Sequence, residues 1–329
     1  MINLYQSLAS LNKVKTAPGS YTGKNVRGYG GNVILCIDQF KNPLILLQNS
    51  RLVNNPPPTT QLENIEISHN NDCTVDIKNK KKKGYFSIIK LTSLDNQLRS
   101  TFLEIIEATI GNLQFPSSSQ DIDLNLQAII NLFRSMNQSS VKKASGLWSE
   151  LFIIDSSKNL DKIIGYWHDL NNDTYDFSLG NNYLEVKSTL GSERKHILSI
   201  DQAYPDPKDN VVFASLMLEE SSLGLSLGDL RARIRNRIKD PSLKLKFDGL
   251  YYSCLGNTWK EASLRSFDES HAKQNIKYLD LKDIPKIDSN QKNISGVSGI
   301  KFTSNFDMSS KINKTKFKKK SLLFKITLV

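Results

Sequence analysis

Two acidic residues and a lysine lie close together in residues 174–189, a segment whose pattern predicts a β-hairpin. A two-residue turn that begins at Gly180 would place Asp176 directly opposite Glu185. A turn one residue later would place Asp176 opposite Lys187 instead. Because side chains alternate along a strand, both registers keep Asp176, Glu185 and Lys187 on the same face.

Two carboxylates that face each other repel, so this hairpin needs a compensating positive charge. Mg²⁺ binds one or two protein carboxylates together with water and phosphate oxygens, and Asp176 and Glu185 could hold it. Lys187 could then orient a water molecule or contact a phosphate through its ammonium group. The alternative is that the three charges form the solvated face of a half-exposed hairpin, with Lys187 neutralising the acids. The spacing alone leaves both interpretations open.

A wider set of motifs resembles a known family. The pattern Asp-x8-Glu-x-Lys on adjoining strands, preceded by a helix that carries a glutamate, resembles the PD-(D/E)XK nuclease superfamily. More closely, four blocks are similar to a prokaryotic family of PD-(D/E)XK motif proteins found in restriction and phage-defence loci. In chain order the blocks are GLWSELFII, YDFSLGNNYLEVKST, HILSIDQ and LGLSLGDLRARI. The likeness covers about residues 30 to 288.

The resemblance implies a restriction-endonuclease-like fold and metal-dependent hydrolysis of phosphodiester bonds in DNA. Asp176 and Glu185 would be ligands of Mg²⁺, with Mn²⁺ as an alternative, and Lys187 would be the catalytic lysine. Glu150 would be an additional acid supplied by the preceding helix. Tyr175 stands where the motif has the proline that names it, a position at which the superfamily often varies. Methyltransferase and ATPase-type defence proteins are the partners that the resemblance implies.

Hydrophobic periodicity divides the chain into four parts. Short apolar runs bounded by Gly, Asn and Pro predict a β-rich N-terminal module over residues 1–94. Two amphipathic helices predict a helical connector over 95–139. Alternating strands and helices over 140–288 predict an α/β domain with a mixed sheet flanked by helices. Residues 289–329 form a basic, Lys-rich tail.

Three local features complete the expected secondary structure. The lysine run at 80–83 is expected at the solvated tip of a hairpin, with a contact to phosphate as the alternative. Strand-like segments are expected near 247–255 and 261–266, after a helix at about 226–238. His196 and Gln202 flank the strand after the motif, where they could contact substrate or serve only in packing.

Composition limits the class of protein. A chain of 329 residues with 39% hydrophobic residues can bury a sizeable core. No apolar run approaches the ~20 residues of a membrane-spanning helix, and no secretory signal is expected. Three widely spaced cysteines exclude a zinc module or a disulfide framework and favour a reducing cytoplasm.

The net charge of +11 is concentrated at one end of the chain. Residues 289–329 contain nine lysines and only one acidic residue. This tail could therefore contact the phosphates of DNA, or it could only increase solubility. A non-catalytic nucleic-acid-binding or scaffolding subunit of a defence complex is the alternative function. Two opposed carboxylates argue for catalysis, because a scaffold has no physical need of them.

Overall fold

The chain forms two units, Met1–Asn137 and Gln138–Val329, each with its own sheet. The computed structural model describes residues 4–167, 174–288 and 297–328. The elements of the first unit are α1 (Leu4–Leu11), β1 (Tyr21–Asn25), β2 (Val33–Ile37), β3 (Pro43–Gln48), β4 (Thr60–Gln61), β5 (Ile65–Ile77), β6 (Lys80–Leu91), α2 (Asn96–Asn112) and α3 (Ser119–Ser135). Those of the second unit are α4 (Ala144–Ser156), α5 (Leu160–Tyr166), β7 (Phe177–Leu179), β8 (Asn182–Thr189), β9 (Lys195–Ser199), α6 (Ile200–Ala203), β10 (Asn210–Met217), β11 (Glu220–Ser226), α7 (Leu227–Arg237), α8 (Pro241–Leu255), α9 (Trp259–Ser263), β12 (Ser266–Phe267), α10 (Glu269–Asn275), β13 (Lys277–Asp280), β14 (Lys301–Asn305), α11 (Lys314–Lys318) and α12 (Leu322–Thr327).

The sheet of the first unit closes on itself. Antiparallel pairing runs through β1, β2, β3, β6 and β5, and a parallel pairing of β1 with β5 completes a barrel-like ring. The short strand β4 adds to the outer edge of β5. Strand β2, with the sequence VILCI, is buried on both faces, which explains its continuous apolar run. The expected β-rich character of this part of the chain is confirmed.

The lysine run lies in a strand, so the expectation of a hairpin tip was wrong. Lys80–Lys83 belongs to β6 and pairs with the end of β5. The turn is formed by Lys78 and Asn79, whose φ angles of 52° and 64° are left-handed. Asparagine tolerates this conformation better than most residues, which favours a turn at Asn79, just before the lysine run.

The two helices expected as a connector pack within the first unit. Asp95 caps α2 by accepting a hydrogen bond from Leu98 N at 2.7 Å, and Ser118 begins α3 with a capping box. Phe102 of α2 and Phe133 of α3 meet edge to face, with 6.4 Å between ring centroids. Their apolar stripes therefore contribute to the core of this unit and do not form a separate region.

The second unit contains a mixed sheet in the order β13-β10-β8-β7. Strands β8 and β10 are parallel, while β7 and β13 are antiparallel to their neighbours. Helix α4 lies against β8 and α7. Two two-stranded sheets, β11 with β12 and β9 with β14, complete the unit. The α/β class with a mixed sheet and flanking helices is confirmed.

Two segments expected as strands are helical in whole or in part. Residues 247–255 belong to α8, and 261–263 belong to α9, while Ser266 begins the short strand β12. Asp240 caps α8, Pro241 occupies its first turn, and Gly256 ends it with a φ of 49°. These signals define a helix more strongly than the apolar run Leu250 to Tyr252 defines a strand.

The basic tail is part of the second unit wherever the structure describes it. Strand β14 pairs with β9, with Thr303 opposite Ile197. Leu323 and Phe324 of α12 are fully buried. The apolar residues of the tail therefore add to the core of the second unit.

Among the helices that the structure describes, none has both the length and the hydropathy of a bilayer-spanning segment.

Candidate functional site

The β7–β8 hairpin positions two carboxylates. Phe177 pairs with Leu184 and Leu179 with Asn182, so the two-residue turn begins at Gly180, whose φ is +59°. This is the first of the two registers expected from the sequence. Asp176, one residue before β7, consequently lies beside Glu185 of β8.

The two acids are in direct contact through the backbone. The Asp176 backbone N–H donates to Glu185 Oε2 at 3.2 Å, and the Val186 N–H donates to Asp176 Oδ2 at 2.8 Å. The Asp176 side chain is 11% exposed and that of Glu185 is 5% exposed. The hairpin therefore places both carboxylates in a largely dry environment, and the interpretation as a solvated hairpin face does not hold.

Glu150 reaches the same cluster from α4. This helix is buried along most of its length, and the Glu150 side chain is 3% exposed. Its Oε2 accepts a hydrogen bond from Trp167 Nε1 at 2.9 Å. A buried carboxylate needs such partners, because losing water without replacing its hydrogen bonds is costly.

Lys142 connects Glu150 to Asp176. Its Nζ lies 2.5 Å from Glu150 Oε1 and 2.8 Å from Asp176 Oδ1. The backbone N–H groups of Val141 and Lys142 both donate to Cys254 O at 3.0 Å, which fixes the chain just before α4. One ammonium group thus holds two acids that belong to different elements.

Lys187 and Gln202 hold Glu185. Lys187 Nζ lies 2.8 Å from Glu185 Oε1 and 3.1 Å from Gln202 Oε1. Gln202 Nε2 donates to Glu185 Oε1 at 2.7 Å and to Thr174 O at 3.0 Å. Gln202 also takes part in a capping box with Ser199 at the start of α6, which fixes its position.

Burial and mutual repulsion perturb the three acids. Burial, together with the charge of Asp176, raises the pKa of Glu150 to about 7 and that of Glu185 to about 8. Burial acts in the same direction on Asp176, but Lys142 and the Val186 N–H outweigh it and hold its pKa below the usual value. Burial lowers the pKa of Lys142, yet the charges of Asp176 and Glu150 outweigh it and raise this pKa well above its usual value.

The donor set suits a hard divalent cation with two protein ligands. Within the described residues, no group of three or more His, Cys, Asp and Glu side chains is arranged to hold a metal ion. The Lys142 ammonium lies between Glu150 and Asp176, so it occupies the place where a metal ion shared by these two acids would bind. Asp176 and Glu185 remain as an adjacent pair, and Mg²⁺ commonly uses two carboxylates with water and phosphate oxygens. Burial and the charge of Asp176 both raise the pKa of Glu185, and a bound cation would oppose both effects.

The four residues expected at the site lie together, and three further residues join them. Lys142, Trp167 and Gln202 each contact one of the expected acids. Gln202 was one of two residues considered beside the motif. The other, His196, is buried against Ser215 and Phe306 and has a packing role. No sequence signal distinguished Lys142 from the other lysines, since only folding brings it to Asp176.

Comparison with known proteins gives one family. The family model described as "Putative PD-(D/E)XK family member, (DUF4420)" matches residues 8–307. No curated protein and no solved structure matches the chain.

Proposed function

The chain belongs to this PD-(D/E)XK family, and on that premise we propose that it is a Mg²⁺-dependent nuclease that hydrolyses phosphodiester bonds in DNA. The observation that carries the proposal is the contact of Asp176 with Glu185, with Lys187 held on the same glutamate. The mixed sheet that bears these residues would be the core of a restriction-endonuclease-like fold. The two buried acids, Asp176 and Glu185, would repel each other less with a divalent cation bound between them.

Asp176 and Glu185 would hold the metal ion. When bound, the ion supplies positive charge at the phosphoryl group and lowers the pKa of an attacking water. Lys187 hydrogen-bonds to Glu185 and Gln202, so its ammonium is positioned beside the proposed ligands. From there it can orient the water or stabilise the negative charge that develops on the phosphate.

Glu150 contributes through its partners. The structure gives it hydrogen bonds with Lys142 and Trp167, while Lys187 bonds to Glu185. Its proposed part is therefore to position Lys142 beside Asp176. Gln202 has a comparable positioning role, since it contacts both Lys187 and Glu185.

The setting of this activity is also part of the proposal. None of the three cysteines, all of which lie in the described residues, forms a disulfide bond, which supports a reducing cytoplasm as the place of action. A role in restriction or phage defence follows from the motif blocks alone, with methyltransferase and ATPase-type proteins as the partners to test.

The test is cleavage of supercoiled plasmid by purified protein with Mg²⁺, with Mn²⁺ and with EDTA. Wild type should convert plasmid to nicked or linear forms only when a divalent cation is present. Asp176→Asn should remove this activity, whereas Asp161→Asn, an exposed control on α5, should retain it. Equal cleavage by wild type and Asp176→Asn would refute the proposed site.

One observation favours a non-catalytic nucleic-acid-binding subunit as the second candidate. Every carboxylate oxygen of Glu150, Asp176 and Glu185 already has a donor within the protein. Such a network can be stable without a metal ion. DNA binding that is unchanged by EDTA, with no cleavage under any metal condition, would support this candidate.

A further inference from the structure

Two lysine ammonium groups lie among the three acids of the described site, and each contacts different acids. Lys187 lies in the hairpin motif and contacts Glu185. Lys142 lies outside the motif, ahead of α4, and contacts Glu150 and Asp176. A role for Lys142 is therefore not explained by the hairpin.

The position of Lys142 is built into the fold. Its backbone N–H donates to Cys254 O, and its side chain is 24% exposed while the acids it contacts are more deeply buried. An exposed ion pair stabilises a protein little, but removing one member of a buried pair leaves an uncompensated charge. Lys142 thus supports two acids that would otherwise repel each other.

The two oxygens of Asp176 have different partners. Oδ2 accepts the Val186 N–H, so the backbone of β8 fixes it, whereas Oδ1 accepts from the Lys142 ammonium. A divalent cation that binds Asp176 through Oδ1 would lie next to this ammonium. Two positive groups at one oxygen repel strongly where water is scarce.

We propose that Lys142 acts as the internal cation of the metal-free site, where it competes with the divalent ion for Asp176. This inference rests on the proposed function, because it takes the same two ligands. Lys142 leaves Asp176 Oδ1 when the ion binds and keeps its contact with Glu150. Glu150 accordingly serves to retain the displaced ammonium near the site.

This arrangement has two consequences. The metal-free protein keeps its acids in place, because Lys142 compensates their charge. The affinity for the ion is lower than two carboxylates alone would give, because binding must break the contact between Lys142 and Asp176.

Calorimetric titration with Mg²⁺ and Mn²⁺ tests the competition in wild type, Lys142→Met and the control Lys143→Met. Lys143 is the exposed neighbour of Lys142, and its side chain makes no capping hydrogen bond to α4. Lys142→Met should bind the metal at least about tenfold more tightly than wild type, in keeping with the size of buried charge-pair effects. Without metal it should melt at a lower temperature than wild type, and saturating Mg²⁺ should remove most of that difference. Lys143→Met should behave as wild type in both measurements.

Equal or weaker metal affinity in Lys142→Met would overturn the inference, since Lys142 would then support metal binding and not oppose it. Plasmid cleavage, measured separately, distinguishes this failure from failure of the proposed function. Mg²⁺-dependent cleavage with unchanged affinities would overturn only the role of Lys142. Tighter binding without any cleavage would support the role of Lys142 and refute the nuclease. The absence of metal binding in every variant would overturn both.

A second measurement uses wild-type protein and so does not depend on the folding of Lys142→Met. Protein labelled with ¹⁵N at lysine Nζ should give a protected ammonium signal for Lys142, assigned by its loss in Lys142→Arg. Addition of Mg²⁺ should shift or weaken this signal, as expected if Lys142 leaves Asp176. An unchanged signal at metal saturation would overturn the inference.

Discussion

Asp176 donates its backbone N–H to Glu185 Oε2 across the β7–β8 hairpin, at 3.2 Å. The contact brings two buried acids side by side, and burial with the charge of Asp176 raises the pKa of Glu185 to about 8. The backbone contacts, together with Lys142 on Asp176 and Lys187 on Glu185, thus hold the pair in place against its electrostatic repulsion.

A divalent cation should relieve this repulsion and stabilise the protein. We expect millimolar Mg²⁺ to raise the melting temperature of wild type by several degrees. A ligand at one hundred times its dissociation constant stabilises the folded state by ~2.7 kcal/mol, which is enough for such a shift. Glu185→Gln should abolish the increment, because it removes one of two ligands. Glu193→Gln changes the same charge at an exposed position and should keep it. An undiminished increment in Glu185→Gln, measured by differential scanning calorimetry, would place the ion elsewhere.

The basic end of the chain gives a prediction about DNA binding. A surface cleft of about 740 Å³ contains five lysines, and its lining residues are Lys158, Thr315, Lys318, Lys319, Lys320, Ser321, Leu322 and Lys325. None of these residues is acidic, so the cleft suits phosphate groups. Deleting the whole tail would also remove buried residues of α12. Substitution is therefore the better test.

Lys318→Gln with Lys319→Gln should weaken DNA binding and flatten its salt dependence. Each lost phosphate contact should reduce the slope of log K against log salt by roughly 0.9 on B-DNA. Lys80→Gln with Lys81→Gln, exposed on the first unit, is the matched control. Fluorescence anisotropy at several salt concentrations gives the slopes. If the cleft variant and wild type share one slope, this surface does not contact DNA.

Local pattern was sufficient to predict the hairpin. The register depends on Gly180 and on the few residues around it, so the sequence left Asp176 two possible partners, Glu185 and Lys187, and the structure selects Glu185. Glu150 was identified by resemblance to the family, and the structure places it on the same cluster through Lys142.

Features that depend on distant packing were missed. Lys142 meets Asp176 only because Cys254 O fixes the backbone ahead of α4, and no spacing rule relates these three positions. The helix α8 is a different kind of error, since Asp240 and Pro241 mark its start in the sequence. Its apolar run was judged by β propensity, which is more dependent on context than these helix signals.

His196 provides a prediction about stability and pH. Burial, with the nearby charges of Lys187 and Arg194, lowers its pKa to about 4, and its Nε2 lies 2.8 Å from Ser215 Oγ. The folded protein therefore keeps this histidine neutral at a pH where the unfolded chain binds a proton. The free energy of unfolding should fall as the pH drops from about 6.5 to about 4, by at most about 1.4 kcal/mol per pH unit from this group.

Urea unfolding of wild type and His196→Gln between pH 7 and pH 5 checks this prediction. Glu150 and Glu185 have raised pKa values, so their contributions to stability are lost as the pH rises through about 7 and 8. They are present in both proteins and cancel in the difference. The stability difference between wild type and His196→Gln should shrink towards pH 5. A constant difference would mean that His196 binds protons with the same pKa in the folded and unfolded states.

Lys187 gives the decisive prediction for catalysis. Its ammonium is 2.8 Å from Glu185 Oε1 and 3.1 Å from Gln202 Oε1, beside the proposed metal ligands. Lys187→Ala should slow Mg²⁺-dependent plasmid cleavage by ~10²- to 10⁴-fold, the usual effect of losing a positioned acid–base group. DNA affinity should change little, because one lysine of many supplies a small part of the phosphate contact.

Lys195→Ala, an exposed lysine on the next strand, is the control and should cleave as wild type does. The comparison requires matched circular dichroism and matched DNA affinity. Cleavage by Lys187→Ala at the wild-type rate would assign the activity to another site and leave the binding-subunit alternative in its place.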